Sequence, residues 1–325
     1  MSKGQVAVLG INGHIGQAVA RAFVAAGWEV AGMGRADRHH IPGVRFVRGD
    51  SDSVEDMRRA IGDADVVVNA LNMRYDLWFE GRMEAQMARV VEAMGKSGKT
   101  MLFPGNIYNY SAADRVIAPD TPQRPQTVRG ELRVRVEAAF EAAAARGDIQ
   151  VIILRAGEFY GPGSSLDWFD QIMFREIRSG VVRTMGYRDV PHAWAYLPDL
   201  ARAFESVASV RSTLGLFERF HFAGHFVTPA RMRAAIEKAA PVKVRVRPFP
   251  IALLIAAGLV DPVIREIAKM RYTWKNPMEL RDRRLESILG DSFGTPFDEA
   301  VAATVKPIFD RLRNDPKGAG KLAAA

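Results

Sequence analysis

The stretch Gln5-Val6-Ala7-Val8-Leu9-Gly10-Ile11-Asn12-Gly13-His14-Ile15-Gly16 decides the fold. Val6 to Leu9 is a short unbroken apolar run, the composition of a strand buried on both faces. Three glycines follow at G-x-x-G-x-x-G spacing, and Ile15, Val19, Ala22 and Phe23 then recur at helical intervals. Strand, turn and helix therefore arrive in the order of a phosphate-binding βα unit. Glycine lets the backbone turn sharply and approach a pyrophosphate, while the amides and dipole at a helix start favour an anion. Gly10, Asn12, Gly13, His14, Ile15 and Gly16 are expected to hold a dinucleotide; a plain strand-to-helix turn without ligand is the alternative.

Outward from this turn, strands are expected near 28–33, 44–47, 64–70, 100–103 and 149–154, and helices near 14–26, 53–61, 79–95 and 128–145. This alternation predicts an α/β fold with a doubly wound, parallel Rossmann-type sheet. At Gly157 the pattern breaks into a Gly/Pro-rich loop and aromatic segments, before a helix expected over 197–210 and a strand over 216–222. The expected division is a dinucleotide-binding domain over 1–156 with a returning segment near 190–225. A smaller α+β substrate lobe takes 157–189 and 226–313, and 314–325 is a frayed tail. Ala138, Ala142 and Ala145 give the fourth helix a narrow surface for close packing on the sheet or on another subunit.

The chain has no cysteine, which excludes disulfides, thiolate metal sites and a cysteine nucleophile. Nor does the pair His39-His40 have neighbours at metal-ligand spacing, so no metal site is expected. The first thirty residues lack the apolar core of a signal peptide, and a cytoplasmic location is expected. The longest apolar run, 251–260, is about half a membrane span and is expected to be a buried helix; no membrane partner is expected. The net charge of +8 raises nucleic-acid binding. However, Lys243, Arg245 and Arg247 alternate with valines, as on one solvated face of a half-buried strand, and no aromatic residues interleave. No nucleic-acid partner is expected.

The end of the second strand reads Met33-Gly34-Arg35-Ala36-Asp37-Arg38, with Arg35 nineteen residues beyond Gly16. An acidic residue there binds a ribose 2′-hydroxyl, whereas arginine suits a 2′-phosphate, so Arg35 favours NADP(H) over NAD(H). Asp37 would reverse this if the register slipped by two, and Arg35 as a solvated loop residue is the other alternative.

Together with later segments, these residues resemble the short-chain dehydrogenase/reductase superfamily, in particular its extended branch of NAD-dependent epimerase/dehydratase proteins. Gly10, Gly13 and Gly16 match the branch's glycine motif; Gly49-Asp50-Ser51 matches the place of an adenine-contacting Asp; Val67-Val68-Asn69-Ala70 matches the fourth-strand segment lining the cofactor. Leu154-Arg155-Ala156-Gly157-Glu158-Phe159-Tyr160-Gly161-Pro162-Gly163 resembles the L-R-x-x-x-x-Y-G-P-G segment. Ala195 to Ala201 resembles h-V-x-D-h-A, and Leu289-Gly290 with Pro296 resembles the closing L-G-x-x-P. The resemblance spans nearly the whole chain. It implies that Asp50, Asn69 and Ala70 join the cofactor site, and that the chain dimerises through the helices near 79–95 and 128–145.

The resemblance also implies a Tyr that exchanges a proton with substrate, a Lys four residues on, and a Ser or Thr that polarises the reacting oxygen. Here the Tyr and Lys positions fall on Arg129 and Arg133, and no Tyr or Lys occurs between Ser111 and Phe140. Arg133 retains the means to bind ribose hydroxyls, but arginine is no proton donor near neutral pH. The serine position falls on Asn106, which either donates to a carbonyl oxygen or serves a turn. Tyr108 or Tyr110 replaces the missing acid if one points inward; otherwise both pack between lobes.

Phe159, Trp168, Trp194 and Tyr196, with Phe169, Phe174 and His192, border the reactive end of the cofactor in such proteins. They form either an aromatic substrate wall or lobe-to-lobe packing, and His192 either shuttles a proton or is structural. Two functions follow. One is an NADP(H)-dependent oxidoreductase or epimerase-like enzyme acting on a carbonyl or hydroxyl of a small molecule. The other is a non-catalytic NADP(H) sensor or interaction protein of the same fold.

Overall fold

A computed structural model of the chain describes residues 3–74, 77–163, 169–187 and 189–314. The first part runs β1 (Gln5–Leu9), α1 (His14–Ala25), β2 (Glu29–Gly34), β3 (Val44–Arg48), α2 (Val54–Ile61), β4 (Val66–Asn69), α3 (Arg82–Met94), β5 (Thr100–Gly105), β6 (Val116–Ile117), α4 (Val128–Ala145) and β7 (Gln150–Arg155). Then come β8 (Glu158–Tyr160), β9 (Val181–Thr184), β10 (His192–Tyr196), α5 (Leu197–Ser209), β11 (Phe217–His221), β12 (His225–Val227), α6 (Pro229–Ala239) and β13 (Arg245–Pro248). The chain continues through α7 (Ile251–Ala257), α8 (Pro262–Lys269), α9 (Tyr272–Lys275), β14 (Glu279–Leu280), α10 (Arg283–Leu289) and α11 (Phe297–Arg313).

Seven strands pair in parallel in the order β11-β7-β5-β4-β1-β2-β3. The order reverses between β1 and β4, which opens a crevice at their carboxyl ends. Val6 and Val8 face the layer of α1 and α5, while Ala7 and Leu9 face that of α2, α3 and α4. Because both faces are covered, β1 has no polar alternation. After β7 the chain leaves the sheet through β8 and β10, returns as α5 against α1 and β11 beside β7, and then adds β12 to β10. A separate core holds the smaller lobe, centred on Tyr160, Phe169, Trp194, Ile236, Trp274 and Phe309. In β13, Val246 packs on that core while Arg245 and Arg247 are exposed, the solvated strand face the alternation predicts.

Two sequence expectations need correction. The run 251–260 is not a buried helix: α7 contains no buried residue, and Leu253, Leu259 and Val260 are 67%, 76% and 86% exposed. Burial needs a partner surface, and only the inward side of α7, through Leu254, finds the lobe core. Likewise, Ala138, Ala142 and Ala145 do not pack on the sheet, because Val136, Phe140, Ala143 and Ala144 occupy the buried face of α4. Trp168 and the tail from 315 onward lie outside the described residues. Among the described residues no helix is long and apolar enough to cross a membrane, and no group of three His, Asp or Glu could hold a metal ion.

Candidate functional site

The glycine turn sits at the mouth of the crevice. Gly10 has a φ of +87°, and its amide and that of Ile11 donate to Met33 O at 3.1 and 3.0 Å, tying the turn to the end of β2. A Cβ on Gly10 would lie 2.8 Å from Ala70 O, and one on Gly16 only 2.3 Å from Gly10 O. Both approaches require glycine. Gly13 is the N-cap of α1 with no side chain capping the helix, so His14, Ile15 and Gly16 bring a bare helix start to the crevice, the arrangement that receives a pyrophosphate.

Asn12 fastens the next loop. Its Nδ2 donates to Ala36 O at 2.7 Å, and its Oδ1 accepts from Arg38 N at 3.2 Å. Arg35 and Arg38 are exposed on the loop so held. Asp37 is turned elsewhere: its Oδ1 lies 3.4 Å from Nε2 of the buried His39. His39 Nδ1 accepts from Ile41 N at 2.9 Å, so Nε2 carries the ring hydrogen, near Asp37 but without a hydrogen-bond partner among the described residues. Gly49 N donates to Gly34 O and brings Asp50 beside this loop; Asp50 Oδ1 accepts from Asp52 N at 3.0 Å. Asn69 is fully buried, with Nδ2 donating to Met87 Sδ at 3.3 Å and Oδ1 accepting from Leu71 N at 3.3 Å. Its side chain supports the crevice floor, and Ala70 presents the backbone there.

At the other end, the start of α4 presses on the turn after β5: a Cβ on Gly130 would stand 2.1 Å from Tyr108 O. This contact brings Arg129 and Arg133 together with Asn106, Tyr108 and Tyr110. Both arginines are buried, and both stack on Trp78 from the segment between β4 and α3, with guanidinium carbons 5.5 and 4.6 Å from its ring centre. Arg129 also lies 4.9 Å from the Phe79 ring centre, and Arg133 5.6 Å from that of Phe103. Cation–π stacking on a shielded indole thus holds both arginines.

Asn106 takes the turn role, its Oδ1 accepting from Tyr108 N at 3.0 Å. Tyr110 is buried, its hydroxyl 3.4 Å from His221 Nε2, and burial raises its pKa. Tyr108 is half-buried at the edge of two cores.

Beneath this turn lies an ionic network that sequence reasoning did not find. Arg155 is fully buried, and its Nη2 donates to both carboxylate oxygens of Glu137, at 2.9 and 2.8 Å. It also donates to Asn106 O, and its Nε donates to His221 Nε2 at 3.3 Å. Asn109 and Gln123 donate to the Glu137 carboxylate at 3.0 and 2.8 Å. Burial works to raise the Glu137 pKa, but Arg155 more than offsets it and holds the carboxyl below its usual range. His221 donates from Nδ1 to Ile117 O at 3.1 Å and is kept neutral by burial, its pKa lowered to about 3. Arg155 and Glu137 were both visible in the sequence, but nothing in their spacing marks them as partners.

On the substrate side, packing accounts for most of the aromatic residues. Trp194, Tyr196, Phe169 and Phe174 belong to the smaller lobe's core, with Tyr160 at its centre, 5.3 Å from Tyr196. Phe159 packs on the opposite core, beside the α1 and α5 layer. His192 donates from Nδ1 to Thr273 O at 3.2 Å, and burial lowers its pKa to about 4, so it is a neutral structural histidine. Glu158, three residues past the end of β7, was quoted in the sequence segment but assigned no role. Its carboxyl accepts from Trp274 Nε1 at 2.6 Å, its second oxygen has no partner among the described residues, and burial pushes its pKa up to about 7.

The sequence model of the NAD dependent epimerase/dehydratase family matches residues 6–213. Among curated proteins nothing matches. Solved structures do. MoeE5 in complex with UDP-glucuronic acid and NAD is 22% identical, with a TM-score of 0.76 over 95% of this chain and 100% of that one. The Bordetella bronchiseptica enzyme WbmH in complex with NAD+ is 20% identical, with a TM-score of 0.68 over 94% of this chain and 99% of that one. UDP-glucose 4-epimerase from Brucella ovis in complex with NAD is 13% identical, with a TM-score of 0.75 over 94% of this chain and 98% of that one. At these identities the likeness is one of fold.

Proposed function

The chain belongs to the NAD dependent epimerase/dehydratase family, and from that premise we propose that it binds NADP(H) in preference to NAD(H) and transfers hydride to or from a carbonyl or hydroxyl carbon of a small molecule. The observation that carries the cofactor preference is the exposed Arg35 just past the end of β2, on the loop that Asn12 fastens. A carboxylate facing the ribose would repel a 2′-phosphate; the Asp37 carboxylate lies 3.4 Å from the His39 ring. The turn fits the group, since its two closest backbone approaches leave no room for a Cβ at Gly10 or Gly16. Arg35 would hold the 2′-phosphate, the start of α1 the pyrophosphate, and Asp50 the adenine. When bound, the nicotinamide supplies or accepts the hydride.

The chain's own residues must handle the oxygen. Arg129 and Arg133 do not exchange protons near neutrality, and Tyr110 is enclosed. Tyr108, half-buried on the turn after β5, is the hydrogen-bond donor we assign to the reacting oxygen. Glu158, with a pKa near neutrality, suits proton exchange. The ligands of the structural neighbours make sugar nucleotides the first substrates to try. Calorimetry should show tighter binding of NADPH than of NADH, and equal or reversed affinities would overturn the preference. NADPH oxidation, or NADP+ reduction with UDP-glucose or UDP-glucuronic acid, should fall in Tyr108→Phe and Glu158→Gln while affinity for NADPH holds.

The clasp of both arginines on Trp78 favours a second reading, a sensor that binds the dinucleotide without turnover. Tight NADPH binding with no turnover on a broad carbonyl and sugar-nucleotide panel would establish it. We also propose a homodimer through the outer faces of α3 and α4, joined within the chain by Arg135 and Glu84 at 2.8 Å. Light scattering tests it directly.

A further inference from the structure

The overturned expectation over 251–260 leaves a surface that the proposed chemistry does not use. The turn between α7 and α8 exposes Leu253, Ile255, Leu259 and Val260, four of the ten large apolar side chains exposed among the described residues. Leu259 and Val260 are neighbours in the turn 258–261, and Leu253 and Ile255 are exposed on α7 just before it. The hairpin is closed beside its turn, where a Cβ on Gly258 would lie 3.0 Å from Arg265 Cα, and Arg265 donates to Gly258 O at 2.9 Å and Leu259 O at 3.3 Å. An apolar tip on a closed hairpin is a contact surface rather than a melted segment.

Charge decides what it contacts. Between 243 and 275 there are seven basic and two acidic side chains, so this tenth of the chain carries more than half of its net charge of +8. Lys243, Arg245 and Arg247 are exposed on the strand entering α7; Arg265 and Lys269 are exposed at i and i+4 along α8, on the stripe that begins with exposed Pro262 beside the tip. Of the acidic pair, Asp261 accepts from Ile264 N within the turn and Glu266 pairs with Lys269, so the cationic rim is carried by Lys243, Arg245, Arg247 and Arg265. A second copy of this chain would bring two cationic rims together, which disfavours self-association through this face. Nucleic acid offers negative charge but no apolar phase for Leu253, Leu259 and Val260. An apolar tip with a cationic rim matches a bilayer whose headgroups are anionic.

We propose that the α7–α8 hairpin docks the protein peripherally on anionic membrane surfaces, inserting its apolar tip among the acyl chains while the surrounding arginines and lysines engage lipid phosphates. No helix crosses the bilayer in this arrangement. It sets the surface near which the enzyme or sensor works, and it stands whether or not NADP(H) turnover is found.

The test is flotation of the full chain with vesicles of phosphatidylcholine alone and with vesicles containing phosphatidylglycerol. Binding is expected to the anionic vesicles only, and to weaken steeply as salt is raised. Leu259→Asp and, independently, Val260→Ser should each cut binding about tenfold or more, and Arg245→Gln with Arg247→Gln should cut it without touching the tip. All these side chains are exposed, so unchanged circular dichroism and melting should accompany the loss. Failure to bind anionic vesicles at low salt overturns the proposal, as does binding insensitive to both tip variants. Dimers that Leu259→Asp dissociates would assign the face to a second copy instead.

Discussion

The guanidinium of Arg133 lies 4.6 Å from the centre of the Trp78 ring, so Arg133 is held in a packing contact. Trp78 is 1% exposed, and its indole N–H donates to Met73 O at 3.0 Å. Trp78→Ala should therefore cost about 3–5 kcal/mol in urea unfolding, as loss of a large buried aromatic does. Trp78→Phe should recover most of that stability. A loss below about 1 kcal/mol for the alanine variant would show that the clasp does not hold the segment.

The Arg155–Glu137 pair predicts an asymmetric mutational cost. Both side chains are essentially closed to solvent, so removing one partner strands a buried charge. Glu137→Gln or Arg155→Met should each destabilise the fold by about 3–5 kcal/mol. The double variant should cost less than the sum of the two, and additive losses in a double-mutant cycle would reject the pairing.

The response to pH follows from three buried groups. Burial lowers the pKa values of His192 and His221 from 6.5 to about 4 and about 3, so the unfolded chain binds more protons than the fold across that window. Stability rises with pH there and is lost as pH falls below about 6.5. Glu158 acts in the opposite sense: with its pKa raised from 4.5 to about 7, the fold holds the extra proton and stability declines between those values. Two histidines against one carboxyl give a net upward slope from about pH 4 to 6. Glu158→Gln should gain on the parent chain as pH rises from about 5 to 7, and urea midpoints that keep a constant separation over that range would remove Glu158 from the account.

Cofactor preference should move with the loop after β2. Arg35→Glu is expected to weaken NADPH binding about tenfold to a hundredfold, the worth of a lost charge-assisted contact, and to leave NADH binding nearly unchanged. Asp37→Ala should alter neither. If Asp37→Ala instead weakens NADH binding, the carboxylate faces the ribose in solution.

Most of the sheet was legible because its determinants are local: apolar strands such as Val66-Val67-Val68, glycines where backbones meet, and helical spacing in α1. The tight glycine turn between β1 and α1 was legible for the same reason. Burial of α7 was misjudged because apolar composition states what a segment can bury, whereas exposure depends on which surface arrives opposite it. The fates of Arg129 and Arg133 were hidden because their partner, Trp78, lies about fifty residues earlier with nothing to mark the pairing. The Asp37–His39 contact was within reach, since the two are neighbours on one short loop, but its direction depends on which ring nitrogen Ile41 occupies.

The clasp on Trp78 also bears on how such a chain can change. Any substitution at 129 or 133 takes a guanidinium from a shielded indole, and any change at 78 takes the same ring from both arginines at once. The three positions can therefore vary freely only as a set, which ties the start of α4 to the segment before α3 as one unit.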